Sequence, residues 1–353
     1  MRKLATIRKI DEIRPIPDAD AIECAVVGGW TVVVKKGEFV PNDWSIYCEI
    51  DSWIPNKVAP FLSKGQEPRE FEGVLGERLR TVKLRGQISQ GLLLKVRWDD
   101  ELAMQGGGSV IIDKDGVTRQ VELGEDVTDY LGILKWEAPI PAQLAGLVKG
   151  NFPGFLRKTD QERIQNLTTE LGEWKERDLT WEVTEKLDGT SMTVYFRNGD
   201  FGVCGRNWEL TETDTNSLWR AARTDKIEES LRALGRNIAI QGELIGEGIQ
   251  GNSYKLKGQH FYVFDMYDIS TGTYLTPMDR VALATQLRIK HVPHEGAGAL
   301  PADVTAGTLL RWAEGKSKVC ETTEREGLVY KCFEDPSISF KAISNKFLMK
   351  SGG

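Results

Sequence analysis

Residues 1–98 contain five short runs, "IECAVV", "WTVVVKK", "SIYCEI", "RLRTVKL" and "GLLLKV", each rich in β-branched and apolar residues. Turn-forming clusters such as "PDAD", "VGGW" and "VPND" separate them. Strands this short bury too little surface alone and must share one compact core. Five of them in so short a stretch predict a small β-barrel. Next comes "MQGGGSVIIDKDGVTRQVELGEDVTDYLG", Gly-rich and acidic, followed by "APIPAQLAG". This shift in composition places a domain boundary near residue 130, giving domains 1–130 (barrel plus connecting segment) and 131–353.

The second part mixes periods. "KTDQERIQNLTTELGEW" reads as largely helical, with Thr159 or Asp160 as its cap. Strands are expected over 181–187, 190–196, 238–244, 261–267, 326–332 and 337–342, and helices over 214–234, 277–289 and 306–316. The fold class is therefore α+β, a mainly antiparallel sheet domain behind a five-stranded barrel. The OB-fold is a frequent five-stranded barrel, with an SH3-like barrel or a sandwich as rivals.

The chain has 353 residues and a formal net charge of −6, so any nucleic-acid binding must rest on a local basic patch. Its five cysteines, Cys24, Cys48, Cys204, Cys320 and Cys332, are scattered, which argues against a zinc site or a disulfide framework and for a reducing compartment. The N-terminal stretch has no secretory apolar core, and no long apolar run follows; a cytoplasmic protein with no membrane partner is expected.

The stretch "TEKLDGTSMTVYF" (184–196) places Lys186 two residues before Asp-Gly, itself a common hairpin turn. A nucleophilic lysine must be neutral, and attack on a polyphosphate needs cations and a metal as well. Such groups follow in order. "VCGRN" carries Arg206, "IAIQGELIGEGIQGN" carries Glu243 and "HFYVFDMYD" carries Phe264. "EGLVYK" carries Glu326 and Lys331, and "SFKAISNKF" carries Lys341 and Lys346. Each alone has a plainer reading as turn, core or solvated surface.

Together, Lys-x-Asp-Gly, Gly-Glu, Phe-Asp, Glu-Gly-x-x-x-Lys and a late lysine resemble the motif series of the covalent nucleotidyltransferases, the polynucleotide ligases and messenger RNA capping enzymes. "QGELIGEGIQGN" and "FKAISNKF" are similar to the RNA ligase branch. "IRPIPDADAIECAVVGGWTVVVKKGEF" resembles tRNA-binding OB modules, and an OB domain at the front, with only about a dozen residues after Lys341, resembles RNA ligases of the Deinococcus and Naegleria type.

That resemblance implies an N-terminal OB-fold barrel, a C-terminal ATP-grasp-like adenylyltransferase domain, and ATP with Mg²⁺ or Mn²⁺ as cofactors. It implies sealing of RNA 3′-OH and 5′-phosphate ends in RNA repair, with nicks in duplexes the expected substrate and a cleaved transfer RNA or an RNA held on a DNA template as alternatives; a monomer is expected. Lys186 would carry AMP. Glu185, Asp188, Gly189, Arg206, Glu243, Phe264, Glu326, Lys331, Lys341 and Lys346 would bind the nucleotide, with Asp188, Glu243 and Glu326 also holding metal through water. Arg206, Lys331 and Lys341 would clamp phosphates and depress the Lys186 pKa. The family's late Lys-x-Lys is broken here by Ile343, so Lys346 is the nearest substitute. Glu326 and Lys331, five apart, would face opposite ways on a regular strand, so Glu326 is expected in the turn before it. The rival readings are another ligase or capping-type nucleotidyltransferase, or a non-catalytic RNA end-binding protein.

Overall fold

The computed structural model describes residues 3–98, 110–114, 117–137 and 146–351. Much of the Gly-rich segment and nearly all of "APIPAQLAG" lie outside them. The chain parts into two compact units, Met1–Pro139 with Leu348–Gly353, and Ile140–Phe347. No helix among the described residues is long and apolar enough to cross a membrane.

The N-terminal unit is built of short strands, as their β-branched alternation requires, but its sheets stay open. Trp44–Cys48 pairs with Ala5–Lys9 on one side and Leu92–Lys95 on the other. Glu12–Pro15, Ile22–Val27 and Trp30–Lys35 form a separate meander. The expected barrel is therefore corrected to a β-rich OB-like unit in which no sheet of the described residues closes on itself. The reason lies in "RLRTVKL". That run, residues 78–84, does not supply one strand: its first residue, Arg78, ends the strand Val74–Arg78 of a four-stranded sheet, while its last three, Val82–Leu84, form a two-stranded ribbon with Gln87–Ser89. The fifth stave of a barrel is thus divided between two other pairings.

The C-terminal unit is a mixed α/β domain. In chain order its strands are β1 (Val148–Asn151), β2 (Glu162–Arg163), β3 (Thr180–Lys186), β4 (Thr190–Arg197), β5 (Asp200–Cys204), β6 (Trp208–Leu210) and β7 (Ile238–Gly246). They continue with β8 (Gln259–Asp268), β9 (Thr273–Tyr274), β10 (Lys290–His291), β11 (His294–Ala299), β12 (Gly327–Cys332) and β13 (Ser339–Ile343). One sheet runs β1-β6-β5-β4-β7-β8-β9, with β10 also on β8; the other runs β2-β13-β12-β3-β11.

Strands β3 and β4 lie in different sheets, so "KLDGT" is not the hairpin its Asp-Gly suggests. It is the crossing point. Strand β3 pairs with β11 and β12, whereas β4 pairs with β5 and β7. A side chain at Gly189 would meet the Leu244 carbonyl oxygen at 2.4 Å, so the crossing requires glycine for close approach.

The helices follow their caps. Asn216 caps α2 (Ser217–Thr224), Thr276 caps α4 (Pro277–Gln286) and Thr305 caps α5 (Ala306–Trp312). The single helix expected over 214–234 is broken after α2 by Lys226 at φ +52°, and α3 (Ile227–Leu234) starts anew. The expected helix from residue 158 is confined to α1 (Thr168–Glu176); Thr159 and Asp160 do not cap it.

The second sheet is held by an aromatic stack. Phe340 is fully buried, its ring centroid 4.7 Å from Tyr330, 5.6 Å from Trp174 and 5.1 Å from Trp181. Phe340→Ala should cost ~3–5 kcal/mol, read as a lowered midpoint in urea unfolding, with Lys341 next to it displaced.

Candidate active site

Register brings the chemistry together. Lys186 ends β3 opposite Gly327, the first residue of β12, so Glu326 stands immediately before that strand. This is the turn position that the five-residue spacing requires. Lys186 Nζ donates to Glu326 Oε2 at 2.7 Å, both side chains being mostly buried. On the other sheet, Glu243 of β7 accepts from the Gly189 amide at 3.1 Å. The Asp188 amide donates to the Tyr254 hydroxyl at 2.7 Å, and Gln250 Nε2 to the Gly189 carbonyl at 3.3 Å. The crossing segment is thereby pinned from both sides.

One ammonium thus faces three carboxylates in a partly desolvated place. Burial pulls the Lys186 pKa down, but attraction to Glu326, then Glu243, outweighs it and the net direction is up. The expected depression by nearby cations is not what this state of the site shows. Burial pushes Glu243 up to about 7, Lys186 opposing and Glu326 adding. Burial and the Glu326 charge push Asp188 up to about 6. Excess negative charge of this kind suits a divalent cation held through its waters. No three His, Cys, Asp or Glu side chains among the described residues are placed to cage a metal directly.

The other expected residues separate into groups. Arg206 Nη2 lies 3.1 Å from Asp160 Oδ1, and Lys341 Nζ lies 3.8 Å from the same oxygen. The fold therefore joins these two cations across Asp160, whose sequence context resembles any helix cap and gave no sign of the role. Phe264 falls where the β7–β8 register shifts: Gln241 faces Asp265 and Gly242 faces Val263, leaving Phe264 as the extra residue of a bulge. Its ring packs with Leu187, Ile245, Tyr254 and Val292.

Lys331 stands apart. It is buried, 2.5 Å from Asp265 Oδ2, and donates to the Phe264 carbonyl at 3.3 Å. Burial pushes its pKa down. Asp265 was within reach of sequence reasoning, since it completes the Phe-Asp pair. Glu185 points to the opposite face from Lys186 and accepts from the Lys318 amide at 2.8 Å. Lys346 lies 3.6 Å from Glu324, which Lys316 approaches to 2.6 Å.

An amine among carboxylates, an aromatic at a bulge and two cations joined by one acid are groups that a covalent nucleotidyltransferase would need, and the comparisons decide which kind. An RNA ligase family model matches residues 179–343, and an OB-fold domain model matches residues 4–96. An apo mutant of Naegleria gruberi RNA ligase is 50% identical, with a TM-score of 0.79 over 99% of this chain and 98% of that one. The chain belongs to the RNA ligase family. Naegleria gruberi RNA ligase with PPi is also 50% identical, with a TM-score of 0.78 over 99% of both chains. A mutant of it with ATP and Mn gives 50% identity and a TM-score of 0.79 over 99% of both. Comparison with curated proteins gave no match.

The raised carboxyls of this ligase make its stability depend on pH. Glu243, at about 7 when folded against an ordinary 4.5, binds more protons folded than unfolded between those values. Its contribution is present below about 4.5 and is lost as pH rises through about 7. Glu243→Gln, which keeps an acceptor for the Gly189 amide, should melt closer to or above the wild type at pH 8 and fall behind it at pH 5. Equal differences in melting temperature at the two pH values would contradict the shift.

Proposed function

We propose that the chain is an ATP-dependent RNA ligase that seals 3′-OH and 5′-phosphate ends at nicks in duplex RNA, acting as a monomer in RNA repair. The observation that carries this reading is Lys186, held by Glu326 at 2.7 Å between two sheets, in a chain half identical to RNA ligases along its whole length. The Lys186 amine attacks the α-phosphorus of ATP; an N–P bond forms, the bond to pyrophosphate breaks, and lysyl-AMP results. AMP then moves to the RNA 5′-phosphate, and the 3′-hydroxyl displaces it. In-line displacement asks the protein mainly for positioning and charge neutralisation.

Asp188, Glu243 and Glu326 would hold Mg²⁺ or Mn²⁺ through its waters. When bound, the metal supplies positive charge that lowers the proton affinity of the amine and neutralises phosphate oxygens. Arg206 and Lys341 offer their charge to phosphate in competition with Asp160, and Phe264 offers its ring to adenine. In this reading Lys331 supports Phe264 through its backbone and Asp265. Five free cysteines accord with a reducing, cytoplasmic setting.

The test is labelling with α-labelled ATP and Mg²⁺ or Mn²⁺, followed by a denaturing gel. A labelled band is expected for the wild type and none for Lys186→Ala. An unlabelled wild type, after pyrophosphate has stripped any preformed adenylate and with GTP and NAD also tried, would leave only end binding.

A further inference from the structure

Between Arg78 and Trp98 the sequence holds six cations, Arg78, Arg80, Lys83, Arg85, Lys95 and Arg97, and no acid, in a chain of net charge −6. The structure gathers the middle of this run on the two-stranded ribbon of the N-terminal unit, Val82–Leu84 paired with Gln87–Ser89. The inner strand is fastened: Ile88 is buried, and Ser89 Oγ accepts from the Val33 amide at 2.9 Å. The outer strand is an edge. Arg80, Val82, Lys83, Leu84 and Arg85 are all exposed. Arg85 at φ +48° and Gly86 at φ +80° make the tight turn that folds the ribbon back.

Arg78 is compensated, since it pairs with Asp51 and lies 3.6 Å over the Trp136 ring. Arg80, Lys83 and Arg85 have no acidic partner among the described residues. Guarding an edge against strand addition takes charge, but either sign would do. Arg80 just before the ribbon and Lys83 and Arg85 on it, unpaired with acid among the described residues and with Val82 and Leu84 exposed between them, instead suit a row of phosphates with apolar sugar edges alongside.

We infer that this ribbon is a contact of the ligase with the phosphate backbone of its RNA duplex, made by Arg80, Lys83 and Arg85. The inference rests on the RNA-sealing reading and adds where the N-terminal unit holds the substrate. Because backbone contacts carry no sequence information, the ribbon raises affinity for any RNA duplex alike and makes that affinity salt-dependent.

The experiment compares wild type with Arg80→Gln/Lys83→Gln/Arg85→Asn. Asparagine keeps the left-handed backbone of residue 85 while removing its charge. The probe is a nicked RNA duplex whose 3′ end at the nick lacks the hydroxyl, so that sealing is blocked. The variant should form lysyl-AMP as the wild type does and bind the duplex about tenfold or more weakly, with a slope of log K against log salt shallower by roughly 2–3. Unchanged affinity and slope, with lysyl-AMP intact, would overturn the ribbon and leave the ligase reading standing. A wild type that forms no lysyl-AMP would overturn the ligase reading instead. Should the triple variant fail to fold, Lys83→Gln alone serves, its slope shallower by about 1; an unchanged slope there overturns the ribbon too.

Discussion

The ion pair between Lys186 and Glu326 can form only because two close approaches fix where strands begin and end. Strand β3 must stop opposite the start of β12, and the chain must then cross to the other sheet without a side chain at Gly189. The same crossing delivers Glu243 from β7 and the Asp188 amide to Tyr254. A lysine, its counter-ion and two further carboxylates are thus set by backbone register. Their side chains do not have to search for one another. In a site already desolvated, such pre-set geometry is what electrostatic catalysis needs, because little reorganisation is left at the moment of reaction.

Behind the site the two sheets are joined by buried charge. Lys331 of β12 pairs with Asp265 of β8, and Arg280 of α4 pairs with Glu182 of β3, which sits opposite Lys331. Arg280 Nε donates to His291 Nε2 at 3.0 Å, and His291 Nδ1 donates to the Val292 carbonyl at 2.7 Å. Those partners require a neutral imidazole, and burial followed by the Arg280 charge pushes the His291 pKa down accordingly. Two cations and two anions cancel with nothing left over. Each member is costly to remove alone, since the survivor would be a bare buried charge. Through the bond from Lys331 to the Phe264 carbonyl, the network also ties down the bulge that carries Phe264.

Strand positions in the C-terminal unit were readable because they depend on local alternation: β3, β4, β7, β8, β12 and β13 fall within a few residues of the hydrophobic runs that announce them. Pairing was not. Asp-Gly between two such runs reads as a hairpin, and only the non-local partners of β3 and β4 make it a crossing. The left-handed Lys226 that splits one helix into α2 and α3 has no signature in its neighbours, since nothing in "RTDKIEE" forbids helix. The open N-terminal sheets were hidden for the same reason, because "RLRTVKL" is a good strand sequence whichever neighbours it takes.

The candidate site divides along the same line. Lys186, Glu326, Glu243 and Phe264 could be singled out because their surroundings repeat a family pattern; Asp160, the acid that Arg206 and Lys341 share, could not. Asp160 lies far in sequence from Arg206 and Lys341, and Asp265 answers a lysine 66 residues on. Those partners change what the cations can do. Lys331 is committed to Asp265 in a buried pair, whereas Arg206 is two-thirds exposed and shares Asp160 with Lys341. An exposed pair is weak and is screened by solvent, so an incoming phosphate with more charge than one carboxylate can displace it. A buried pair cannot be exchanged in that way. How readily a cation of this unit can leave its acid is therefore set by how deeply the pair is buried.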